Sequence, residues 1–219
     1  LVTTLTNRYG LRETDTGGQT VGASSAVESP TAPASGVEWD NRIIIPMFHE
    51  GRLFSYVACD YTGTSPRKVL SGPNGPAQGA LFYAQPGDDA IPTGLPVGLG
   101  ELAIVEGCWD ALKVSMFWPT VAILGCGGKH GMATAQLSRI LRATSPGTVI
   151  AVLLDPDAKS KAHNVYRQLK SVRPRTHMLT PALDADPCDT PYDDLLPMLH
   201  ALEEVTSGRL ASPTERGTP

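Results

Sequence analysis

The strongest constraint on the fold is a set of apolar runs without polar alternation: Leu102-Ala-Ile-Val105, Val121-Ala-Ile-Leu124 and Thr148-Val-Ile-Ala-Val-Leu-Leu154. A strand with one wet face alternates apolar and polar residues, so runs that do not alternate are covered on both faces. A segment of helical character follows each run. The predicted helices are Trp109 to Trp118, stopped by Pro119, then Met132 to Arg142 and Lys161 to Ser171. This order gives an α/β class, a parallel sheet flanked by helices with right-handed crossovers. Thr176 to Leu179 adds a short strand, and Asp193 to Val205 places Leu195, Leu196, Leu199 and Leu202 on a packed helical face.

Upstream the pattern differs. Residues 12–40 are rich in Gly, Ser, Ala, Thr and Pro with little hydrophobic periodicity, so 1–40 is expected to be loosely structured. Arg42 to Phe48 and Arg52 to Ala58, separated by a turn containing Gly51, predict a hairpin. Pro46 has to sit at an edge or a bulge, because it has no N–H for the ladder. Leu81-Phe-Tyr83 reads as another brief strand. The expected organisation is a small sheet-containing unit over 41–98, the α/β domain over 99–206 and a flexible tail over 207–219.

Charge argues against one class of function. With 18 basic and 22 acidic residues and a net charge of −4, the balance argues against a protein that coats nucleic acid through charge alone. Local basic groups can still grip a backbone where cations neutralise nearby carboxylates. No run approaches the roughly 18 apolar residues of a membrane-spanning helix. Cys59, Cys108, Cys126 and Cys188 are scattered without a CxxC pair, which predicts neither a zinc ribbon nor a disulfide framework but thiols in a reducing cytoplasm.

The acidic residues carry the chemistry. Parallel sheets place ligands outside the C-terminal ends of their strands, and Glu106, Asp155 and Asp157 fall there. Asp110 sits in the first turn of the following helix, where it either joins Glu106 or caps the helix. Asp155 and Asp157, separated by one residue, share a side of an extended segment and can converge on an ion, although a loop with a capping Asp is the alternative. Asp184, Asp186 and Asp189 form a later acidic cluster; Asp193 and Asp194 suit helix capping. Such hard oxygen donors match Mg²⁺ or Mn²⁺. In the loop Gly125-Cys-Gly-Gly-Lys-His-Gly131, Lys129 is a candidate phosphate contact, but the spacing is not that of a Walker A loop; His130 has no recognisable triad partners.

Together, Ile104-Val-Glu106-Gly-Cys-Trp-Asp110-Ala-Leu112, Val152-Leu-Leu-Asp155-Pro-Asp157 and Asp186-Pro-Cys-Asp189 resemble the Toprim catalytic core of DnaG-type bacterial and phage primases. The resemblance extends upstream through Arg42-Ile-Ile-Ile-Pro46 and Arg67-Lys-Val-Leu-Ser-Gly-Pro73, covering roughly residues 41–200. It implies a Toprim-like sheet behind a small primase-like unit. Glu106, Asp110, Asp155 and Asp157 are then catalytic and metal-binding, with Asp186 as a further ligand. Arg42, Arg67 and Lys68 are then basic groups facing template, primer or nucleotide. The implied activity is synthesis of short RNA primers from ribonucleoside triphosphates on single-stranded DNA with Mg²⁺ or Mn²⁺. Implied partners are a replicative helicase and a separate zinc-binding module, with no membrane, in the cytoplasm of a phage-infected or plasmid-bearing bacterium. A Toprim nuclease and an inactive DNA- or helicase-binding subunit remain as alternatives.

Overall fold

The computed structural model describes residues 22–24, 41–50, 52–71, 79–86, 94–124, 131–180 and 185–206. Two sheets organise them. The smaller is antiparallel and runs in chain order: β1 (Gly22–Ser24), β2 (Arg42–His49), β3 (Arg52–Asp60) and β4 (Val69–Ser71). Ile43, Ile45 and Met47 recur with a period of two residues along β2, and they bury with Val57 and Cys59 of β3. Pro46 lies outside the stretch of β2 paired with β1, one residue before a register shift at Met47/Phe48, a position that tolerates its missing donor. β1 departs from the loose segment expected there. Its Gly-Ala-Ser carries no hydrophobic period of its own, and the free flank of β2 supplies the pairing. The rest of 1–40 apart from β1, and the tail 207–219, lie outside the described residues.

The larger sheet contains β5 (Phe82–Ala84), β6 (Leu99–Val105), β7 (Thr120–Ala122), β8 (Thr144–Val152) and β9 (Thr176–Met178) in the spatial order β5-β7-β6-β8-β9. β7, β6, β8 and β9 are parallel, and β5 runs antiparallel to β7. The helices are α1 (Cys108–Val114), α2 (Thr134–Ala143), α3 (Lys159–Lys170) and α4 (Tyr192–Thr206). α1 stops four residues short of the expected Trp118, whose ring is nonetheless buried in the core.

The unalternating runs are covered as predicted. Ala103 and Val105 of β6 and Ala151 of β8 face α1, α4 and the small sheet. Leu102, Ile104, Ile150 and Val152 point the other way, against α2 and α3. The boundary expected near residue 98 does not divide the strands: β5, assigned by sequence to the smaller unit, belongs to the larger sheet, and its Phe82 packs in one core with Ile43 and Ala103. Among the described residues no helix is long and apolar enough to cross a membrane.

The winding fixes where a ligand can sit. From β6 the chain crosses one face through α1 to β7 on one side, then returns through α2 on the other face to β8 on the opposite side. The segments leaving β6 and β8 therefore diverge to opposite faces. A crevice opens between the C-terminal ends of these two neighbouring strands, and Glu106 and Asp155 follow them.

Candidate active site at the carboxyl edge of the sheet

Glu106 is the first residue past β6, and Gly107 caps α1 in an extended conformation. Asp110, third in the helix, turns back so that its Oδ2 accepts the Gly107 N–H at 2.9 Å. Its Oδ1 accepts the Cys188 N–H at 3.0 Å. Asp110 is 5% exposed, and burial raises its pKa above the ordinary carboxylate value. The two backbone donors pull the other way, and the charge of Asp186 adds to the rise. A Cβ on Gly107 would lie 2.9 Å from Asp110 Oδ2, so this close approach requires glycine. Asp110, expected as a ligand, thus has both oxygens engaged in binding backbone.

Lys113, one turn further along α1, completes the clamp. Its buried Nζ donates to the carbonyls of Cys188, at 2.9 Å, and Thr190. It also lies 4.8 Å from the centre of the Tyr192 ring. Within the same turn, the Asp186 carbonyl accepts the N–H groups of Asp189 and Thr190. Asp110 and Lys113 together fix the turn that carries Asp186. Burial, then Asp189, Asp157 and Glu106, raise the pKa of Asp186.

Asp155 is reached from β8. The end of that strand is held by Leu153 N–H on Ile104 O at 2.8 Å and Leu154 N–H on the Thr180 hydroxyl at 2.9 Å. Asp155 Oδ1 is buried without a hydrogen-bond partner. Its carboxyl is pushed up to about 7 by burial first, then by Asp110, Asp186, Glu106 and Asp157. The geometry predicted for Asp155 and Asp157 needs correction: the segment is not extended. Pro156–Ala158 forms a 3₁₀ turn with Ala158 N–H on Asp155 O, so Asp157 stands exposed. Proline at the first helical position is pre-set for such a turn.

A cation already reaches this edge. Lys161 of α3 places Nζ 2.6 Å from Glu106 Oε1. Among the described residues no three His, Cys, Asp or Glu side chains form a ready-made metal cage. The donor set is nonetheless chemically suited to a hard divalent ion, since Asp155 offers an unpartnered oxygen among other carboxylates.

The basic residues separate into two kinds. Arg42 does not lie on the expected basic surface: it is 1% exposed and turned inward. Its guanidinium donates to Arg67 O at 2.7 Å, Ser65 Oγ at 2.8 Å, Ala58 O at 3.3 Å and Lys68 O at 3.4 Å. Asp60 organises the same loop, and its carboxyl is held down at about 2 by the Thr62 hydroxyl and the Ser65 N–H, with Arg42 contributing. Arg67 and Lys68 are exposed on this braced loop. Lys68 lines a cleft of about 270 Å³ together with Val57, Cys59, Gly107, Trp109 and Leu124. Lys129, His130 and Asp184 lie outside the described residues.

Lys113, Lys161 and Asp60 were not singled out by sequence. Lys161 had one legible signal, a helical lysine six residues after Asp155. Lys113 binds carbonyls 75 and 77 residues away, a partnership that no local pattern encodes.

No family model matches this sequence, and no curated protein matches it. Among solved structures, the fold is similar to that of the zinc-binding and RNA polymerase domains of Aquifex aeolicus primase, with a TM-score of 0.54 and 18% identity. The match covers 80% of this chain and 43% of that one, so this chain spans less than half of its neighbour's length. The likeness shows a primase-like fold.

Proposed function

We propose that the chain is a primase catalytic core that joins ribonucleoside triphosphates into short RNA primers on single-stranded DNA. The observation that carries this reading is Asp155, whose buried Oδ1 lacks a donor and whose carboxyl is raised to about 7 in a crevice shared with Glu106, Asp157 and Asp186. Like charges gathered at such a crevice are relieved by a cation. Glu106, Asp155, Asp157 and Asp186 would hold Mg²⁺ or Mn²⁺. When bound, such ions neutralise the triphosphate and align attacking and leaving oxygens.

The remaining residues position and hold. Asp110 and Lys113 keep the Asp186 turn against the edge. Lys68, on a loop braced by Arg42 and Asp60, offers a charge to phosphates at the cleft without reading sequence. Trp109 gives the cleft an aromatic wall on which a base can stack. The neighbour's name includes a zinc-binding domain. We assign template recognition by such a module, and delivery by a helicase, to separate partners.

The test is template-dependent incorporation of labelled ribonucleotides with Mg²⁺ or Mn²⁺. Asp155→Ala/Asp157→Ala should lose at least about 100-fold in rate. Equal synthesis by both proteins, or cleavage of the template without incorporation, overturns the reading.

A further inference from the structure

Lys161–Glu106 is far better covered than the surface pair His49–Glu50. Lys161 is 8% exposed and projects from the first turn of α3, which begins two residues after Asp157. Covering an ammonium to this degree is unfavourable unless it is paired. The pairing here is made with the carboxylate edge and not with a neighbour on α3. Glu106 is also one of the charges that raise Asp155 and Asp186, so Lys161 offsets part of a shared negative field.

We infer that Lys161 is a resident counter-cation of this edge, competing with the divalent ion for Glu106 and holding a phosphate of the incoming triphosphate once displaced. The inference rests on the metal-dependent reading above. The competition is geometric: Mg²⁺ takes a carboxylate oxygen at about 2.0–2.1 Å, and an ammonium on the same oxygen adds a like charge beside it. The lysine stem has the rotatable bonds to swing its charge while α3 keeps its root beside Asp157. Metal loading thus exchanges one cation at Glu106 for another and releases the first toward an anion arriving at the same crevice.

The experiment uses the full chain with Mn²⁺ and ATP as probes. Free Mn²⁺ is followed by its electron paramagnetic resonance signal for the wild type, Lys161→Met, Lys161→Gln and Lys161→Arg. Calorimetry then measures ATP binding at saturating Mn²⁺. Lys161→Met and Lys161→Gln should bind Mn²⁺ about fivefold more tightly or better, and ATP more weakly by a similar factor. Lys161→Arg, which keeps the charge, should stay within about twofold of wild type for Mn²⁺. Unchanged or weaker Mn²⁺ binding in both neutral variants overturns the competition, and unchanged ATP binding overturns the phosphate role. Lys161→Gln carries the test should Lys161→Met fail to fold. These binding measurements do not depend on primer synthesis, so a wild type that makes no primer but shows the exchange would remove the polymerase reading alone.

Discussion

Asp110 Oδ1 accepts the backbone N–H of Cys188 at 3.0 Å, a bond spanning 78 residues that ties the start of α1 to the turn carrying Asp186. With Oδ2 on the Gly107 N–H, one carboxylate satisfies two donors at once. Asp110→Ala leaves both without a partner and should destabilise the protein by about 2–4 kcal/mol in urea unfolding. A change below about 0.5 kcal/mol would show that water replaces the carboxylate readily.

Lys113 makes the reciprocal contact by donating to carbonyls of the same turn. Lys113→Met keeps most of the buried stem and removes the donor, leaving two carbonyls unmet. We expect a loss of about 1–3 kcal/mol and, because Asp186 loosens, weaker Mn²⁺ binding. Stability reduced with Mn²⁺ affinity intact would separate the turn from the proposed metal site.

The acidic edge predicts an uncommon pH profile for the metal-free protein. The Asp155 carboxyl ordinarily titrates at 3.8 and in the folded protein is raised to about 7. Between those values the folded state binds more protons than the unfolded one, so stability falls as pH rises through this window. Asp60 works the opposite way: held at about 2, it contributes stability above 3.8 that is lost as pH falls through about 2. In EDTA the melting temperature should therefore decline from about pH 4 to pH 7, and Asp155→Asn should flatten that decline. Mn²⁺ added at the alkaline end should recover the loss. A wild-type profile that rises over the same interval would exclude Asp155 as its source.

Arg42 and Lys68 are expected to fail differently although both are basic. Arg42→Ala removes a buried guanidinium that braces residues 65–68, at about 2–4 kcal/mol in stability. Lys68→Gln should leave stability within about 0.5 kcal/mol. It should lower the salt slope of single-stranded DNA binding by about 0.7, the value for one phosphate contact. Fluorescence anisotropy across a salt series checks both, and an unaltered slope in Lys68→Gln would remove that lysine from the interface.

What could be read in advance followed from local repetition. Runs such as Val149 to Leu154 carry their double-sided burial in their composition, and acids placed just past them fall at strand ends by construction. The path from Asp155 to Asp157 differs from the extended one that the spacing implies, because Pro156 begins a 3₁₀ turn. Arg42 lies inside and not on the basic surface because backbone and hydroxyl oxygens of Ala58, Ser65, Arg67 and Lys68 draw its guanidinium inward. A charged residue next to a strand reads as surface until those acceptors are known. No local pattern encodes the Lys161–Glu106 pairing, because the two residues are 55 positions apart.

The antiparallel pairing of Phe82–Ala84 with Thr120–Ala122 bears on how this protein can be handled. A fragment beginning at residue 99 would retain every acidic residue of the crevice yet strip the outer strand from the sheet. Thr120, Val121 and Ala122, all buried, would then present bare ladder groups beside apolar side chains, a template for chains to stack upon one another. Truncations meant to isolate the five-stranded sheet should start upstream of residue 79, the first described residue leading into that strand.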